Sequence, residues 1–275
     1  MTGEGRSARL RASVAFFALL DILALLAGLA SFASPAVAAD LTVDQVRALL
    51  AAANPNKPID LSGKDLSDLD FTRVDFKRAK MVGANLFGSR LVQANLAGAD
   101  LSGANLNGAW LMGTDFTGAR LVGAQLLGVV VLGGEVKTRP IFAEADLSGA
   151  RIIADLPATN LRGARLRGAR LRGAHLGVEI KNQGMGQQRT DLTGADLSGA
   201  DLSGANLNRA LLSFADLKRA DLSRANLYRT NLAGADLSGA NVADADFTEA
   251  DLDRAVFSNA TGLDTAKGIA KAINR

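Results

Sequence analysis

The feature that most constrains this chain is a large apolar side chain at every fifth position. The series runs unbroken through fifteen positions: Leu61, Leu66, Phe71, Phe76, Met81, Leu86, Leu91, Leu96, Leu101, Leu106, Leu111, Phe116, Leu121, Leu126 and Val131. On a helix of 3.6 residues per turn, each fifth residue advances by about 140°, so these side chains would cover every face and leave no core stripe. On a continuous strand, an odd spacing would send successive apolar side chains to opposite faces. The period therefore excludes both regular elements as continuous structures.

The pattern fits a chain that alternates a short extended segment with a turn and therefore coils. In each unit a small residue and the apolar residue two positions later both point inward. Glycine recurs two positions after the apolar residue, as at Gly103 and Gly108, where a tight bend favours a residue without a side chain. An aromatic content of only 5% agrees with one small packing unit repeated many times.

Tandem units of the form Ala-(Asp/Asn)-Leu-x-x, as in Ala-Asp-Leu-Ser-Gly at 195–199, resemble the pentapeptide repeat family from residue 60 to 260. The resemblance implies an all-β fold, a right-handed quadrilateral parallel β-helix (pentapeptide-repeat solenoid) with four pentapeptides per coil. With coils about 4.8 Å apart, roughly 38 repeats would make nine or ten coils and a rod of about 45 Å.

The repeat is irregular at 132–141 and at 177–190. In the first segment the apolar frame runs one residue late at Phe142 and returns at Leu156, which predicts a bulge with one residue added and one later removed. The second segment is polar and rich in glycine and glutamine, so we expect part of it to leave the wall of the solenoid. Such a loop is compatible with a functional contact and with a tolerated insertion.

Both ends of a coil need a cover, because open ends expose apolar side chains and unpaired strand edges. At 40–59 the run Thr42-Val43-Asp44-Gln45 is a capping-box pattern that opens a short helix through Ala53. At 261–275 a second helix is expected from Asp264 to Ile273. The sequence thus predicts short α-helical caps at both ends.

Residues 1–39 have the pattern of a secretory signal. Three arginines at positions 6, 9 and 11 precede an apolar run from Val14 to Leu29, and small residues at 34–39 predict cleavage after Ala38 or Ala39. The alternative is an uncleaved anchor, although Asp21 lies inside the apolar run, where a carboxylate is costly. Cleavage predicts a periplasmic or secreted protein, and retention a membrane-anchored one that faces outside.

The sequence predicts no catalytic, metal or cofactor site, and therefore a protein that is not an enzyme. There is no cysteine, so thiolate chemistry is excluded. The one histidine, His175, stands at an outward position of a repeat, and the many aspartates recur because the repeat places Asp or Asn before each Leu. No phosphate-binding glycine loop or helix-borne metal motif stands out from this background.

Charge is the remaining signal. From 134 to 190 ten Lys and Arg face five acidic residues, whereas from 191 to 257 six face eleven. The densest cluster, on either side of three successive leucines, is the candidate binding surface Arg162, Arg165, Arg167, Arg170 and Arg172. On a four-sided coil these residues would form a belt over neighbouring faces. The belt indicates either a solvated surface or an attachment point for an acidic protein, anionic lipid head groups or polysaccharide.

These observations predict an exported, non-catalytic scaffold or binding protein that presents a stiff surface. The family resemblance also raises a DNA-mimic protector of type II topoisomerases, which would need a cytoplasmic location and a long acidic face. The arginine belt and the export signal depart from that pattern, and a nucleic acid partner is not expected. A membrane-tethered rod and an end-to-end homodimer are the further alternatives.

Overall fold

The computed structural model describes residues 39–54, 57–131, 139–178 and 189–269. The predicted signal or anchor at 1–39 therefore lies outside the described residues except for Ala39. Within the described part of the chain, no helix is both long and apolar enough to cross a lipid bilayer.

Parallel bridges between residues twenty positions apart stack the chain into coils. Asp60 pairs with Lys80, and Lys80 with Asp100; three further ladders begin at Asp65, Asp70 and Asp75. Each coil of four pentapeptides thus contributes one unit to each of four sides, which we number 1 to 4 in that order. Side 1 defines ten layers in the described chain: Asp60, Lys80, Asp100, Arg120, Asp146, Arg165, Asp196, Asp216, Asp236 and Val256. Four-sidedness, which the resemblance implied, is confirmed.

Regular strand is short because a turn interrupts the chain every five residues. The two strands of the described chain are β1 (Gln125–Leu127) and β2 (Arg151–Ile153), and they pair in parallel with Leu126 opposite Ile152. Elsewhere each side contributes a single bridge residue between turns.

The hydrogen bonds of one unit explain the period. Leu61 N–H donates to the Lys80 carbonyl at 2.7 Å, and Gly63 N–H donates to the Val82 carbonyl at 2.8 Å, so both tie one coil to the next. Lys64 N–H closes the turn on the Leu61 carbonyl at 3.2 Å. The residue two after the leucine has positive φ, for example +68° at Gly103, as a type II turn requires at its third position.

The core is a column of the leucine and alanine positions, as the spacing predicted. Leu101 and Ala99 are both buried, and the same holds at the matching positions of nearly every layer. Aromatic residues fit by packing on each other, as in the rings of Phe116 and Phe142, whose centroids are 4.6 Å apart in adjacent layers. A buried hydroxyl at the alanine position is satisfied by backbone, since Thr114 Oγ1 donates to the Leu91 carbonyl at 2.7 Å.

Among the residues that the structure describes, one helix, α1 (Val43–Ala51), precedes the first coil. Thr42 is its N-cap, and the capping box with Gln45 forms as the sequence predicts. Val46 is buried as part of the solenoid's apolar core. Asp40 N–H donates to the Asp65 carbonyl at 2.8 Å, so the segment before the helix is attached to side 2 of the first layer.

The expected helix at 261–275 requires correction in its first part. Thr261 pairs with Asn241 and Lys267 pairs with Asp246, so the ladders continue through residue 267. The helix prediction failed here because the apolar frame ends at Phe257, whereas bridging depends on backbone groups that any residue supplies. Residues 270–275, where the predicted helix would end, lie outside the described part of the chain.

The bulge predicted at 132–141 is wrong. Val130 pairs with Trp110 on side 3, and Ile141 pairs with Asp115 on the next side. One step between sides thus takes eleven residues instead of five, while the later step from Arg151 to Asp155 takes four. Six added residues and one removed residue give a net gain of one repeat length, so the apolar frame returns at Leu156. Spacing alone therefore cannot distinguish the segment from Val131 to Leu156 from five regular units.

The segment 177–190 also joins side 3 to side 4. His175 pairs on side 3 and Asp191 on side 4, so a single step takes sixteen residues, which bypasses eleven. Both irregular segments therefore leave the ladders at the same corner, two layers apart.

Candidate binding surface

The five candidate arginines wrap around three sides of the coil, as predicted. Arg162 lies on side 4, Arg165 and Arg167 on side 1, and Arg170 and Arg172 on side 2. All five are exposed. Arg162, Arg167 and Arg172 each follow a leucine, so they lie at the three successive corners that join sides 4 and 1, 1 and 2, and 2 and 3. Arg165 and Arg170 lie between them, on sides 1 and 2.

At the positions of Arg165 and Arg170 the repeat ordinarily has Asp or Asn, whose side chain supports the turn. At Asp196, one layer beyond Arg165, a carboxylate oxygen accepts a hydrogen bond from Ser198 N–H at 2.9 Å and so supports the turn. The same bond recurs at most Asp and Asn positions, which explains the regular aspartates without any chemical role. A guanidinium has no acceptor, so Arg165 and Arg170 forgo this support.

Ion pairing separates Arg165 from the others. Its Nε lies 3.5 Å from Asp146 Oδ2 in the preceding layer. Among the described residues, no acidic oxygen lies within 4.0 Å of a guanidinium nitrogen of Arg162, Arg167, Arg170 or Arg172. Four of the five candidate arginines therefore project into solvent without an ion-pair partner in this part of the chain.

The pairing between layers places two further arginines beside those of the candidate cluster. Arg151 pairs directly with Arg170 on side 2, and Arg120 precedes Asp146 on side 1. The signal for Arg151 was present in the repeat, but the misread irregular segment hid which side it occupies. We define the basic corner as the outward residues of sides 1 and 2 in layers two to six. Its charged members are the cations Lys80, Arg120, Arg151, Arg165, Arg167, Arg170 and Arg172 and the acids Asp100 and Asp146.

Charge is concentrated at this edge of the solenoid. On sides 3 and 4 of the same layers, with the connections between them, the described charges balance: Arg90, Arg139, Arg162 and Arg189 against Asp115, Glu144, Asp155 and Asp191. The basic corner ends at layer seven, where Asp196 follows Arg165 and Asp201 follows Arg170.

Apolar side chains share the basic corner with the arginines. Val82, Phe87 and Ile153 are 44%, 49% and 48% exposed, and Leu127 lies beside Ile153 through the β1–β2 pairing. The edge itself carries glycine in each of the five layers, and around the side-chain position of each there is open space. The exposed side chains of this edge are therefore those of the residue before each glycine, such as Val82 and Arg167, and Phe87, Leu127 and Ile153 lie on side 2.

His175 takes part in a surface contact. Its Nδ1 lies 3.6 Å from Asp155 Oδ1 on side 3, away from the basic corner. Among the described residues, no three His, Asp or Glu side chains gather in a way that could hold a metal ion.

A family profile decides what kind of repeat this is. The profile described as pentapeptide repeats matches in eight copies, over residues 59–86, 79–118, 94–129, 141–177, 190–227 and 225–261. The chain belongs to the pentapeptide repeat family. As a pentapeptide repeat protein it has the right-handed quadrilateral β-helix of that family, which supplies the hand of the coil whose four ladders are described above.

Solved structures of other pentapeptide repeat proteins are similar to this one. HetL of the cyanobacterium Nostoc sp. strain PCC 7120, described as involved in heterocyst differentiation regulation, is 31% identical; the match covers 82% of this chain and 94% of HetL, with a TM-score of 0.49. A thylakoid lumen protein of Arabidopsis thaliana is 29% identical over 46% of this chain and 77% of its own, with a TM-score of 0.25.

The fluoroquinolone resistance protein QnrB1, which is plasmid-mediated, is 19% identical over 74% of this chain and 94% of its own, with a TM-score of 0.22. A search of the curated proteins finds no significant match.

Proposed function

We propose that this pentapeptide repeat protein is an exported binding scaffold that presents the basic corner to an acidic partner. The observation that carries the proposal is the set of exposed arginines at repeat positions, most of them without an acidic partner among the described residues. Two of them, Arg165 and Arg170, stand where the repeat would otherwise hold a turn-supporting Asp or Asn. A solenoid that needed only solubility could keep the consensus residues there and retain the local hydrogen bonds. Arg165 and Arg170 give up those bonds, which favours a role outside the fold.

The chemistry of guanidinium favours binding without catalysis. Arginine remains protonated at any physiological pH and presents five donors in a planar fork, so it recognises carboxylate and phosphate but does not transfer protons. A cluster of such groups attracts anions over roughly a Debye length, about 8 Å at physiological ionic strength. The proposal is therefore a salt-sensitive contact with an anionic surface.

The signal-like segment at the start of the chain supports the same proposal. Arginines, an apolar run and small residues stand in signal-peptide order at 1–39, and the proposed location of the solenoid is periplasmic or secreted. A DNA-like protector would instead need a long acidic face. Side 1 alternates Asp100, Arg120, Asp146 and Arg165, which counts against that alternative.

A panel of defined polyanions tests the proposal. The wild-type chain and a variant with Arg151, Arg170 and Arg172 changed to Gln would be titrated with polyglutamate, a sulfated polysaccharide and anionic vesicles at two salt concentrations. The matched control changes Arg219, Arg224 and Arg254 to Gln, which removes the same charge from later layers. We expect binding of at least one probe that weakens with salt and with the first variant only. Equal binding by both variants, or by none of the proteins, would overturn the proposal.

A further inference from the structure

The basic corner combines charge with exposed hydrophobic groups on two adjoining sides. Phe87 and Val82 lie in the second layer, Leu127 in the fourth and Ile153 in the fifth, between and beside the cations. Four rungs separate the second layer from the sixth, so the surface is about 19 Å long. Exposed apolar groups surrounded by polar ones mark a contact with a protein or a membrane.

The mixture of groups points to one class of partner. A polysaccharide would satisfy the arginines but leave Phe87 and Ile153 in water. An anionic bilayer satisfies both, because phosphate head groups accept the fork of a guanidinium while apolar side chains enter the boundary between head groups and acyl chains. The glycines at the second turn position of the edge have open space around them, so the side chains that reach a surface there are those of the first turn position, among them Val82 and Arg167.

We infer that the basic corner docks onto an anionic lipid bilayer, with its arginines on the phosphates and Phe87 and Ile153 at the acyl boundary. The inference rests on the proposed function and names the partner of that surface. Its orientation follows from net charge, since sides 1 and 2 of layers seven to nine carry the cations Lys218, Arg219 and Arg224 against the larger set of acids Asp196, Asp201, Asp216, Asp221, Asp236 and Asp244. Anionic head groups therefore repel these layers, which stay away from the membrane.

The absence of cysteine from the chain permits a site-specific test on the full-length protein. Ile153→Cys would place an environment-sensitive dye on the basic corner, and Thr117→Cys would place the same dye on exposed side 4. Vesicles of phosphatidylcholine alone and with phosphatidylglycerol are the probes, with nitroxide-labelled lipids as quenchers. Residues 1–39 are common to all proteins, so any membrane affinity of that segment does not distinguish the two dye positions.

We expect the dye at 153 to shift to the blue and be quenched with phosphatidylglycerol vesicles only, while the dye at 117 stays unchanged. In the Ile153→Cys protein, changing Arg151, Arg170 and Arg172 to Gln should weaken partitioning by on the order of 100-fold, since each of the three cations near an anionic surface contributes about 1 kcal/mol. The control change at Arg219, Arg224 and Arg254 should preserve it. Circular dichroism of each variant verifies the fold.

The outcomes separate the two proposals. If soluble polyanions bind through the arginines while the dye at 153 shows neither shift nor quenching, the lipid inference is wrong and the proposed function stands. Equal responses at 153 and 117 would likewise overturn the inference, because the membrane contact would then not use the basic corner. If no anionic probe binds, both proposals fail.

Discussion

Arg165 Nε lies 3.5 Å from Asp146 Oδ2 across one rung of side 1. The arginine side chain is 63% exposed and the aspartate 16%, so the pair is partly shielded from water on the acidic side only. Burial raises the pKa of Asp146, but the hydrogen bonds from Ser148 and the charges of Arg165 and Arg120 outweigh it and hold that pKa below its ordinary value.

Arg165→Gln should therefore lower the free energy of unfolding by up to about 1 kcal/mol, the usual range for a surface ion pair. Arg167→Gln, which removes a cation without an acidic partner in the described residues, should leave it unchanged. Urea unfolding followed by circular dichroism measures both. An equal loss for the two variants would show that the pair contributes nothing specific.

The aspartates of the repeat predict a distinct acid response. Hydrogen bonds from Ser67, first from its side chain and then from its backbone, lower the pKa of Asp65, and Thr248 does the same for Asp246. Because the folded state holds these pKa values below the unfolded value of about 4, their stabilisation is complete above that value. It is lost as pH falls through the folded pKa values. Melting temperature should be flat from pH 7 to 5 and fall steeply below pH 4.

Asp65→Ala and Asp65→Asn separate the turn bond from the charge. The carboxylate accepts from Ser67 N–H at 3.0 Å, from Ser67 Oγ at 2.6 Å and from Asn85 Nδ2 at 3.0 Å. Alanine removes all three bonds and should cost about 1 to 3 kcal/mol. Asparagine keeps an acceptor for the backbone bond and should cost less at pH 7, with a smaller loss on acidification. Similar losses at pH 7 would show that the charge, and not the turn bond, stabilises this position.

Much of the fold can be predicted from spacing because each five-residue unit contains the residues that pack in the core and those that form the turn. Leu101 and Ala99 are inward for the same reason in every layer, and the bend at Gly103 follows from its position after the leucine. The side on which a residue lies cannot be predicted in the same way, because it depends on the length of every step between sides that precedes it. Six residues inserted after Val131 and one removed before Leu156 leave the frame unchanged, so Arg151 could not be placed on the same side as the earlier Phe87 without the ladders.

The candidate surface was predictable in part for the same reason. Arg165 and Arg170 are recognisable as departures from Asp or Asn within one unit. The contribution of Phe87 and Ile153 was not, because an apolar residue at the first turn position looks like variation until register places it next to the cations.

Core truncation should be costly at any layer. Leu101→Ala removes a fully buried side chain and should lower the free energy of unfolding by about 2 to 5 kcal/mol. Leu101→Asp should be worse, since it adds an unpaired buried carboxylate. Ser102→Ala, at the next position on the outer wall, is the matched control and loses only a turn contact to Asp100. A small effect of Leu101→Ala would contradict the continuous core.

At the turn position with positive φ, substitutions in two different layers should change the free energy of unfolding in opposite directions. Gly103 has φ +68° with open space around it, and Arg219 holds the equivalent position with φ +56°. A left-handed conformation costs an L-residue about 1 to 2 kcal/mol relative to glycine, so Gly103→Ala should destabilise and Arg219→Gly should stabilise. Glycine also has more entropy in the unfolded chain, which opposes both effects, so each change should be smaller than the strain alone. Thermal melts of the two single variants and of the double variant test this. The double variant should fall between them, since the sites are five layers apart on the same edge and share no contact. A gain in stability for Gly103→Ala would mean that the turn there does not use positive φ.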